Sequence, residues 1–367
     1  MAVTIGIIGL AKSGRTTIFN AATRSNAATG SYSQSSSANV GIVKVPDARL
    51  TPLEEMFHPK KLTPAEIKYF DVGASLKGGT KDSSFSGELL TQLQNVDALL
   101  NVIRAFEDTA IPLPAGGLNA ERDLTTMNAE LIFSDLTIIE KRLNRIGSQM
   151  KGAKPPERAA LEREKELMAR IKEAMEKDIP ARDIELDEEE AKILSGYQFL
   201  SSKPVLMVIN IGEDDLPKAA EMEAELNGRY GGKNYRVIVM CGKLEAELIN
   251  MDEAEAAEFR SSYGLKETGL DRTIRASYEL LDLISFFTVG PDEVRAWTIT
   301  RGTIAQKAAG KIHSDIERGF IRAEIVHVND LLAAGSLAEV RKRGQLRLEG
   351  KTYIVQDGDT ANFLFNV

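Results

Sequence analysis

The segment from Ile5 to Asn20 constrains the fold of this chain more than any other. An apolar run ends at Ile8, a turn bounded by Gly9 and Gly14 follows, and a helical pattern begins near Thr16. This order of strand, loop and helix, with glycines at that spacing, is typical of the phosphate-binding loop G-x-x-x-x-G-K-[ST]. The helix that follows would direct backbone N–H groups and the positive end of its dipole at a phosphate.

One position of the loop departs from this motif, because Arg15 stands where a lysine is expected. The lysine of a P-loop places a compact charge between the β- and γ-phosphates. Arginine keeps the charge, but its longer, planar group favours bidentate contacts, so the replacement is not conservative. Lys12, in the same loop, could supply charge instead. The alternative is that Arg15 faces solvent or forms an ion pair in a degenerate loop.

Strand-like and helical segments alternate around this loop, which predicts an α/β fold with a doubly wound parallel sheet. The later predicted strands cover residues 39–46, 65–72, 98–104, 203–210 and 235–240. Ligands of such sheets bind at the carboxyl ends of the strands. Asp71 closes one of these strands, in the position of the aspartate that holds magnesium through water in P-loop proteins. The simpler interpretation is an aspartate in a turn.

Residues 132–146 and 161–175 have the periodicity of two long amphipathic helices. Apolar residues recur at three- and four-residue steps in the first and every seven residues in the second, and Lys154, Pro155 and Pro156 separate them. This pattern predicts an antiparallel coiled-coil hairpin. A buried strand pattern returns at residues 203–210, so the hairpin is an insertion in the sheet domain. Its exposed tip could contact a partner, although a solvated turn is the preferred interpretation.

The composition changes again from Ile284, where short β-rich runs alternate with glycine- and aspartate-bearing turns. We predict a small α+β domain of roughly 85 residues, which lies within the usual domain size. Its predicted strands are residues 286–289, 294–299, 323–327, 352–355 and 361–365, and its predicted helix is residues 303–312.

Charge and cysteine content limit which partners and which cellular compartment the chain can have. The net charge of −8 argues against a surface that binds nucleic acid throughout, but not against a local basic patch. The single cysteine, Cys241, excludes an intrachain disulfide and fits a reducing compartment. No apolar run approaches the roughly 20 residues needed to span a bilayer. We therefore expect a cytoplasmic, monomeric protein without a membrane partner.

Several segments of the chain together match the sequence pattern of a known family. They are residues 293–299, 319–324, 348–351 and 353–359, together with residues 39–41, 106–108 and 210–213. On these segments the chain resembles the YchF family, the Obg-like ATPases among the translation-factor GTPases. The resemblance implies a P-loop NTPase (G) domain, a helical coiled-coil insertion and a C-terminal TGS domain of the β-grasp type. The implied boundaries are residues 1–119 and 201–282, residues 120–200, and residues 283–367, respectively.

The resemblance also implies how a base is read. GTPases use an N-K-x-D motif whose aspartate accepts from two guanine donors, and here Asn210 is kept while Ile211 and Glu213 replace the lysine and the aspartate. A glutamate carries its carboxylate one methylene further out, so the guanine clamp is poorly placed. In the resembled family this variant accompanies acceptance of ATP as well as, or in preference to, GTP. The alternative is that Asn210 and Glu213 form a surface turn.

The resulting set of predicted site residues includes loop residues and residues that follow two later strands. The predicted nucleotide-binding residues are Gly9, Ala11, Lys12, Ser13, Gly14, Arg15, Thr16, Thr17, Asn210, Glu213, Cys241, Gly242 and Lys243. The predicted cofactor is Mg²⁺ bound with ATP or GTP, and its predicted ligands are Thr16, Ser35 and Asp71.

The region around the γ-phosphate departs from the family pattern. Ala74 replaces the glycine of the family's D-x-x-G motif, and Ser35 stands roughly where a switch threonine is expected. The family carries a histidine implicated in hydrolysis shortly after Phe-Glu-Asp, but here that place falls in the stretch from Ile111 to Leu113. The three histidines of the chain lie elsewhere, and none forms a recognisable arrangement with a serine or the cysteine. No catalytic residue is therefore assigned.

Three functions follow from this balance of kept and altered residues. The first is a purine-nucleotide-binding protein with slow or impaired NTP hydrolysis that regulates translation at the ribosome. The second is a pseudo-NTPase that binds nucleotide without turnover, or has lost it. The third is a ribosome- or RNA-interaction protein that works without nucleotide through the TGS domain and the coiled coil.

Overall fold

The computed structural model describes residues 3–23, 39–71, 87–114 and 116–366. The chain divides into two compact units. One comprises Thr4–Gly41 and Tyr69–Leu270, and the other comprises Met1–Val3, Ile42–Lys68 and Asp271–Val367.

Strands and helices alternate along most of the described chain. The strands are β1 (Val3–Gly9), β2 (Asn39–Lys44), β3 (Lys61–Thr63), β4 (Glu66–Asp71), β5 (Ala98–Ala105), β6 (Val205–Ile211), β7 (Tyr235–Met240), β8 (Leu283–Thr288), β9 (Glu293–Thr300), β10 (Phe320–His327), β11 (Arg347–Glu349) and β12 (Asp359–Phe365). The α-helices are α1 (Arg15–Thr23), α2 (Leu50–Phe57), α3 (Gly87–Gln94), α4 (Ala120–Gln149), α5 (Pro155–Met175), α6 (Glu188–Ser195), α7 (Ala219–Tyr230), α8 (Gly242–Leu248), α9 (Glu253–Ser262), α10 (Gly269–Leu280), α11 (Ala305–Ile312), α12 (Ser314–Arg318), α13 (Val328–Ala334) and α14 (Leu337–Lys342). Within these described elements, no helix is both long enough and apolar enough to cross a membrane.

The first unit is built on a sheet with the strand order β2-β4-β1-β5-β6-β7. Strands β1, β5, β6 and β7 pair in parallel. All residues of β6 are buried, and such continuous apolar runs are expected where helices cover both faces of a parallel sheet. The predicted α/β fold is therefore confirmed.

The register of these strands brings several chain segments to one edge of the sheet. Gly9 at the end of β1 lies opposite Val102 of β5, and Arg104 of β5 lies opposite Asn210 of β6, which in turn pairs with Met240 of β7. Because the strands are parallel, the segments that follow them leave from the same edge. This is the edge where ligands of doubly wound sheets bind.

Helices α4 and α5 form the predicted helical hairpin. The side chain of Asn119 caps α4 by accepting from the backbone N–H of Arg122 at 2.8 Å, and Pro155 begins α5, where a missing N–H costs nothing. The predicted apolar positions Ile139, Ile146 and Met168 are buried along the hairpin. The hairpin therefore has its own apolar seam, as its periodicity predicts.

A buried polar network holds the base of this hairpin. The two carboxylate oxygens of Asp135 on α4 accept from the backbone N–H groups of Leu200 and Ser201 at 2.9 and 2.7 Å. Arg182 lies beside them and donates to Ser201 O and Asn128 Oδ1, both at 3.0 Å. Burial raises the pKa of Asp135 to about 6, against these hydrogen bonds and the charge of Arg182, which lower it.

The second unit contains a mixed sheet with the order β11-β10-β12-β8-β9-β3. Strands β8 and β9, β10 and β12, and β10 and β11 are antiparallel, whereas β12 pairs with β8, and β3 with β9, in parallel. Phe286, Phe320 and Phe363 of this sheet pack with three alanines of α11 in one apolar core. A small α+β unit is thus present, as the sequence predicts.

Two parts of this unit differ from the prediction. Residues 352–355 form no regular strand: Ile354 makes an isolated bridge to Ile304, and Tyr353 O accepts from Ala305 N at 2.7 Å, at the start of α11. The unit also includes β3, in which Leu62 pairs with Val294 of β9. The preceding segment is fixed by Arg49, which contacts Asp357 at 2.9 Å.

We expect Asp135→Ala to lower the free energy of unfolding by about 3 kcal/mol, because two buried N–H groups lose their acceptor and Arg182 loses its counter-charge. Urea denaturation followed by circular dichroism measures this change. Glu166→Ala, which removes an exposed carboxylate of α5, is the control and should stay within about 0.5 kcal/mol of the native protein. A loss below about 1 kcal/mol for Asp135→Ala would show that this network does not stabilise the hairpin base.

Candidate functional site

The loop between β1 and α1 has a backbone shape that a phosphate can enter. Lys12 and Gly14 have positive φ values of 66° and 89°, and successive N–H groups in such turns form a concave anion site. The first turn of α1 begins at Arg15, and the first N–H groups of a helix have no partner within it. Ala11 and Lys12 are exposed at the loop surface, and Thr17 lies half-buried in the first turn.

Two features show that this loop is a closely fitted cradle rather than an ordinary turn. A Cβ on Gly14 would lie 2.2 Å from Nδ2 of Asn210, so that any other residue would displace this buried amide. The hydroxyl of Ser13 is buried and has no hydrogen-bond partner among the described residues. A buried polar atom of this kind normally bonds to a ligand or water, so the loop fits a phosphate group.

Asn210 connects the loop to the ends of two later strands. Its Nδ2 donates to Ser13 O at 3.0 Å, and its Oδ1 accepts from Gly242 N at 2.8 Å. The side chain is buried. Both ends of the amide are therefore used to hold the phosphate loop and the start of α8 in place, and Asn210 acts first as a positioning residue.

Glu213 and Lys243 lie together on the exposed side of the same edge. Oε1 of Glu213 is 2.7 Å from Nζ of Lys243, and their side chains are 34% and 72% exposed. Hydrogen bonding to this carboxylate raises the pKa of Lys243. Cys241, in contrast, is buried, and burial raises the pKa of its thiol. The Cys241 side chain therefore packs in the core, and Glu213 and Lys243 remain accessible to a ligand.

Arg15 contacts the aspartate at the end of β4. Its Nε lies 2.8 Å from Oδ1 of Asp71, and its Nη1 donates to Gly9 O at 3.4 Å. Asp71 is 1% exposed, and its other oxygen accepts from the hydroxyl of Thr16 at 3.0 Å. The structure thus places the P-loop arginine in an ion pair with the strand-terminal aspartate.

This arrangement is a poor fit for the predicted magnesium ion. Thr16 and Asp71 do lie together, but the guanidinium of Arg15 already neutralises the carboxylate. The third predicted ligand, Ser35, lies outside the described residues, as does Ala74. Elsewhere in the described chain, no group of three or more histidine, cysteine or acidic residues could hold a metal ion.

Comparison with known proteins agrees with this architecture. The family model YchF-GTPase_C, described as a protein of unknown function (DUF933), matches residues 283–366. The protein named ribosome-binding ATPase YchF from Bacillus subtilis is 42% identical over 370 residues, which cover 100% of both chains. Its namesake from Pasteurella multocida is 36% identical over 365 residues, or 99% of each chain. The chain belongs to the YchF family.

A solved structure from this family has the same fold. The YchF GTPase of Schizosaccharomyces pombe superposes with a TM-score of 0.84 at 30% sequence identity, over 99% of this chain and 97% of that chain. The resemblance to YchF proteins that the sequence indicates is therefore confirmed over the whole length.

Strand β5 contains a buried arginine near its end that no sequence motif reveals. Arg104 is buried at the end of this strand and donates to Phe106 O, Ile111 O and Pro112 O, each at 3.1 Å. Two of these carbonyls, those of Ile111 and Pro112, lie in the stretch 111–113 where the resemblance to the YchF family implies a histidine. The signal that could have revealed Arg104 is a charged residue inside an otherwise apolar strand.

This fixed loop borders a cavity beside the phosphate loop. The cavity has a volume of about 290 Å³ and is lined by Lys12, Ser13, Arg104 and Leu113, among other residues. Aliphatic and proline groups face the phosphate loop from the side of the missing histidine. Among the described residues that line the cavity, the one carboxylate is that of Asp123, which pairs with Arg122 at 2.9 Å.

We expect Gly14→Ala to destabilise the protein by about 3 kcal/mol, because it combines a left-handed backbone with a Cβ in contact with Asn210. Gly264→Ala is the matched control, since Gly264 has a φ of 71° but no atom within 4 Å of the added Cβ. It should cost only about 1 kcal/mol, from backbone strain alone. Equal losses in the two variants, measured by chemical denaturation, would show that the contact with Asn210 is unimportant.

Proposed function

We propose that this protein binds a purine nucleoside triphosphate, ATP or GTP, at the carboxyl edge of its parallel sheet, hydrolyses it slowly, and associates with ribosomes. The observation that carries this proposal is the cradle in which Gly14 packs against Asn210. Asn210 also bonds Ser13 and Gly242, so one buried side chain connects the phosphate loop to the region that follows β6 and β7.

The contacts divide between the two ends of the nucleotide. At one end, the backbone of residues Ala11 to Thr17 would surround the phosphates, with the exposed Lys12 able to reach them. At the other end, Glu213 and Lys243 provide an acceptor and a donor for a purine. Their ion pair restrains the Glu213 carboxylate, which would accept from an amino group of either adenine or guanine. Gly242 would contribute its backbone close to the base.

Slow hydrolysis follows from the groups at the γ-phosphate end. Arg15 is held by Asp71, and Leu113 and Pro112 occupy the segment where the family places its histidine. Phosphoryl transfer relies on positioning and charge rather than on covalent chemistry, so the loss of several such groups lowers turnover without preventing binding. The relatives named ribosome-binding ATPase YchF support both the nucleotide class and the partner. A ribosomal partner also supports a cytoplasmic location.

The hairpin offers a surface for the ribosome. Residues 141–165 contain eight lysines and arginines against three glutamates, in a chain whose net charge is −8. Lys151 and Lys154 at the tip are exposed and make no ion pair with any described residue. A local excess of unpaired positive charge favours contact with phosphates, which ribosomal RNA presents.

We expect saturable binding of labelled ATP or GTP, with phosphate release on the order of 10⁻³ s⁻¹, as in P-loop GTPases that act without a partner. Equilibrium titration and single-turnover phosphate assays measure these quantities. Asn210→Ala should weaken binding at least about tenfold, because the loop loses its support, equivalent to about 1.4 kcal/mol. Tight binding without any phosphate release would favour the pseudo-NTPase. The absence of saturable binding would contradict the proposal.

The association with ribosomes has its own test. We expect Lys151→Glu combined with Lys154→Glu to weaken cosedimentation with ribosomes. The salt slope of binding should fall by about two, or about one for each RNA phosphate that the variant no longer neutralises. Lys233→Glu combined with Lys266→Glu makes the same charge change at exposed sites outside the hairpin and should have little effect. Equal effects of the two double variants would mean that overall charge, rather than the tip, determines binding.

A further inference from the structure

The magnesium position of this site contains a positive charge that belongs to the protein. Both carboxylate oxygens of Asp71 are engaged, one by Nε of Arg15 at 2.8 Å and the other by the hydroxyl of Thr16 at 3.0 Å. These are the groups that would otherwise attract a divalent ion and its water molecules. The carboxylate is 1% exposed, so bulk water cannot stabilise its charge. A buried charge of this kind needs a charged or hydrogen-bonding partner.

The arginine reaches this position because of its shape. A lysine at residue 15 has a single terminal ammonium, which in a P-loop lies on the phosphates. The guanidinium is a planar fork, and here it spans the site, with Nε at Asp71 and Nη1 at Gly9 O, 3.4 Å away. It joins the end of β1 to the end of β4 across the first turn of α1.

We infer that Arg15 takes the place of the divalent cation at Asp71, so that the site binds nucleotide without a tightly held Mg²⁺. This inference rests on the proposed nucleotide binding. The guanidinium is covalently part of the chain, so this positive charge does not leave the site as a bound ion can. A divalent ion beside Thr16 would meet this positive charge at close range, and like charges repel strongly where water is largely excluded.

A chain in which Arg15 replaces the cation behaves differently from a P-loop protein that has merely lost affinity for nucleotide. Loss of the lysine alone would weaken the binding of all nucleotides and leave the demand for Mg²⁺ in place. If Arg15 replaces the cation, we expect the opposite pattern, in which nucleotide binding persists when Mg²⁺ is removed. The site then recognises the nucleotide polyphosphate itself rather than its magnesium complex.

Fluorescent ADP and ATP analogues test this in two buffers, one with millimolar Mg²⁺ and one with EDTA. In the native protein we expect the two dissociation constants to agree within about threefold. In Arg15→Lys, which frees Asp71, binding should become at least about tenfold tighter with Mg²⁺ than without it. Arg229→Lys is the matched control, because Arg229 also pairs with a carboxylate, that of Glu121, but lies exposed at the surface, and it should behave like the native protein.

A second measurement detects the bound metal ion directly. Electron paramagnetic resonance of Mn²⁺, titrated into nucleotide-saturated protein, should show no binding tighter than to the free nucleotide in the native chain. A tighter Mn²⁺ site should appear in Arg15→Lys. Circular dichroism and thermal unfolding establish that each variant is folded.

Asp71→Asn gives an independent check, since the amide keeps an oxygen for the hydroxyl of Thr16 but removes the charge. If the native site does not use Mg²⁺, the nucleotide affinity of Asp71→Asn should be equal in the two buffers within about threefold. A tenfold loss seen only in the Mg²⁺ buffer would overturn the inference.

The remaining outcomes are also decisive. Native binding that falls tenfold or more in EDTA, or a tight Mn²⁺ site in the native protein, would overturn the inference and leave the proposed function intact. If the native chain binds neither nucleotide in either buffer, the proposed function and this inference fail together.

Discussion

The hydrogen bonds of the Asn210 amide are the interaction on which the candidate site depends. This side chain lies at the end of β6, between the loop that follows β1 and the turn that follows β7. Parallel strands bring these segments to the same edge, but they do not fix the distance between them. A single buried amide, with its donor and its acceptor both used, sets that distance, and Gly14 is required because a larger residue would displace it.

Much of this architecture could be predicted from the sequence because buried parallel strands are long apolar runs. The predicted strand 235–240 coincides with β7, and the predicted strand 203–210 overlaps β6. The three-residue strand β3 could not be predicted in this way. It is too short to show a period, and its partner Val294 is far away in the chain. Residues 352–355 differ in the opposite direction: their composition is typical of a strand, but they form only the single bridge of Ile354 to Ile304.

The sequence proposes the residues of the candidate site but not the contacts between them. Spacing identifies Gly9, Gly14 and Thr16, since each has a fixed place in the motif. The contact between Arg15 and Asp71 joins the first residue of α1 to the end of β4, and the sequence alone left open whether Arg15 meets phosphate, solvent or an acidic side chain. Arg104 was missed because an arginine that bonds three backbone carbonyls has no motif of its own. Its role depends on where the loop turns.

The left-handed backbone of Lys12 has a consequence for ligand binding. A non-glycine residue at a φ of 66° is disfavoured by about 1 kcal/mol relative to a relaxed conformation. The buried Asn210 amide holds the loop in this shape by donating to Ser13 O at 3.0 Å. A phosphate that enters would therefore find the loop pre-organised, and little of its binding energy would be spent on ordering the backbone.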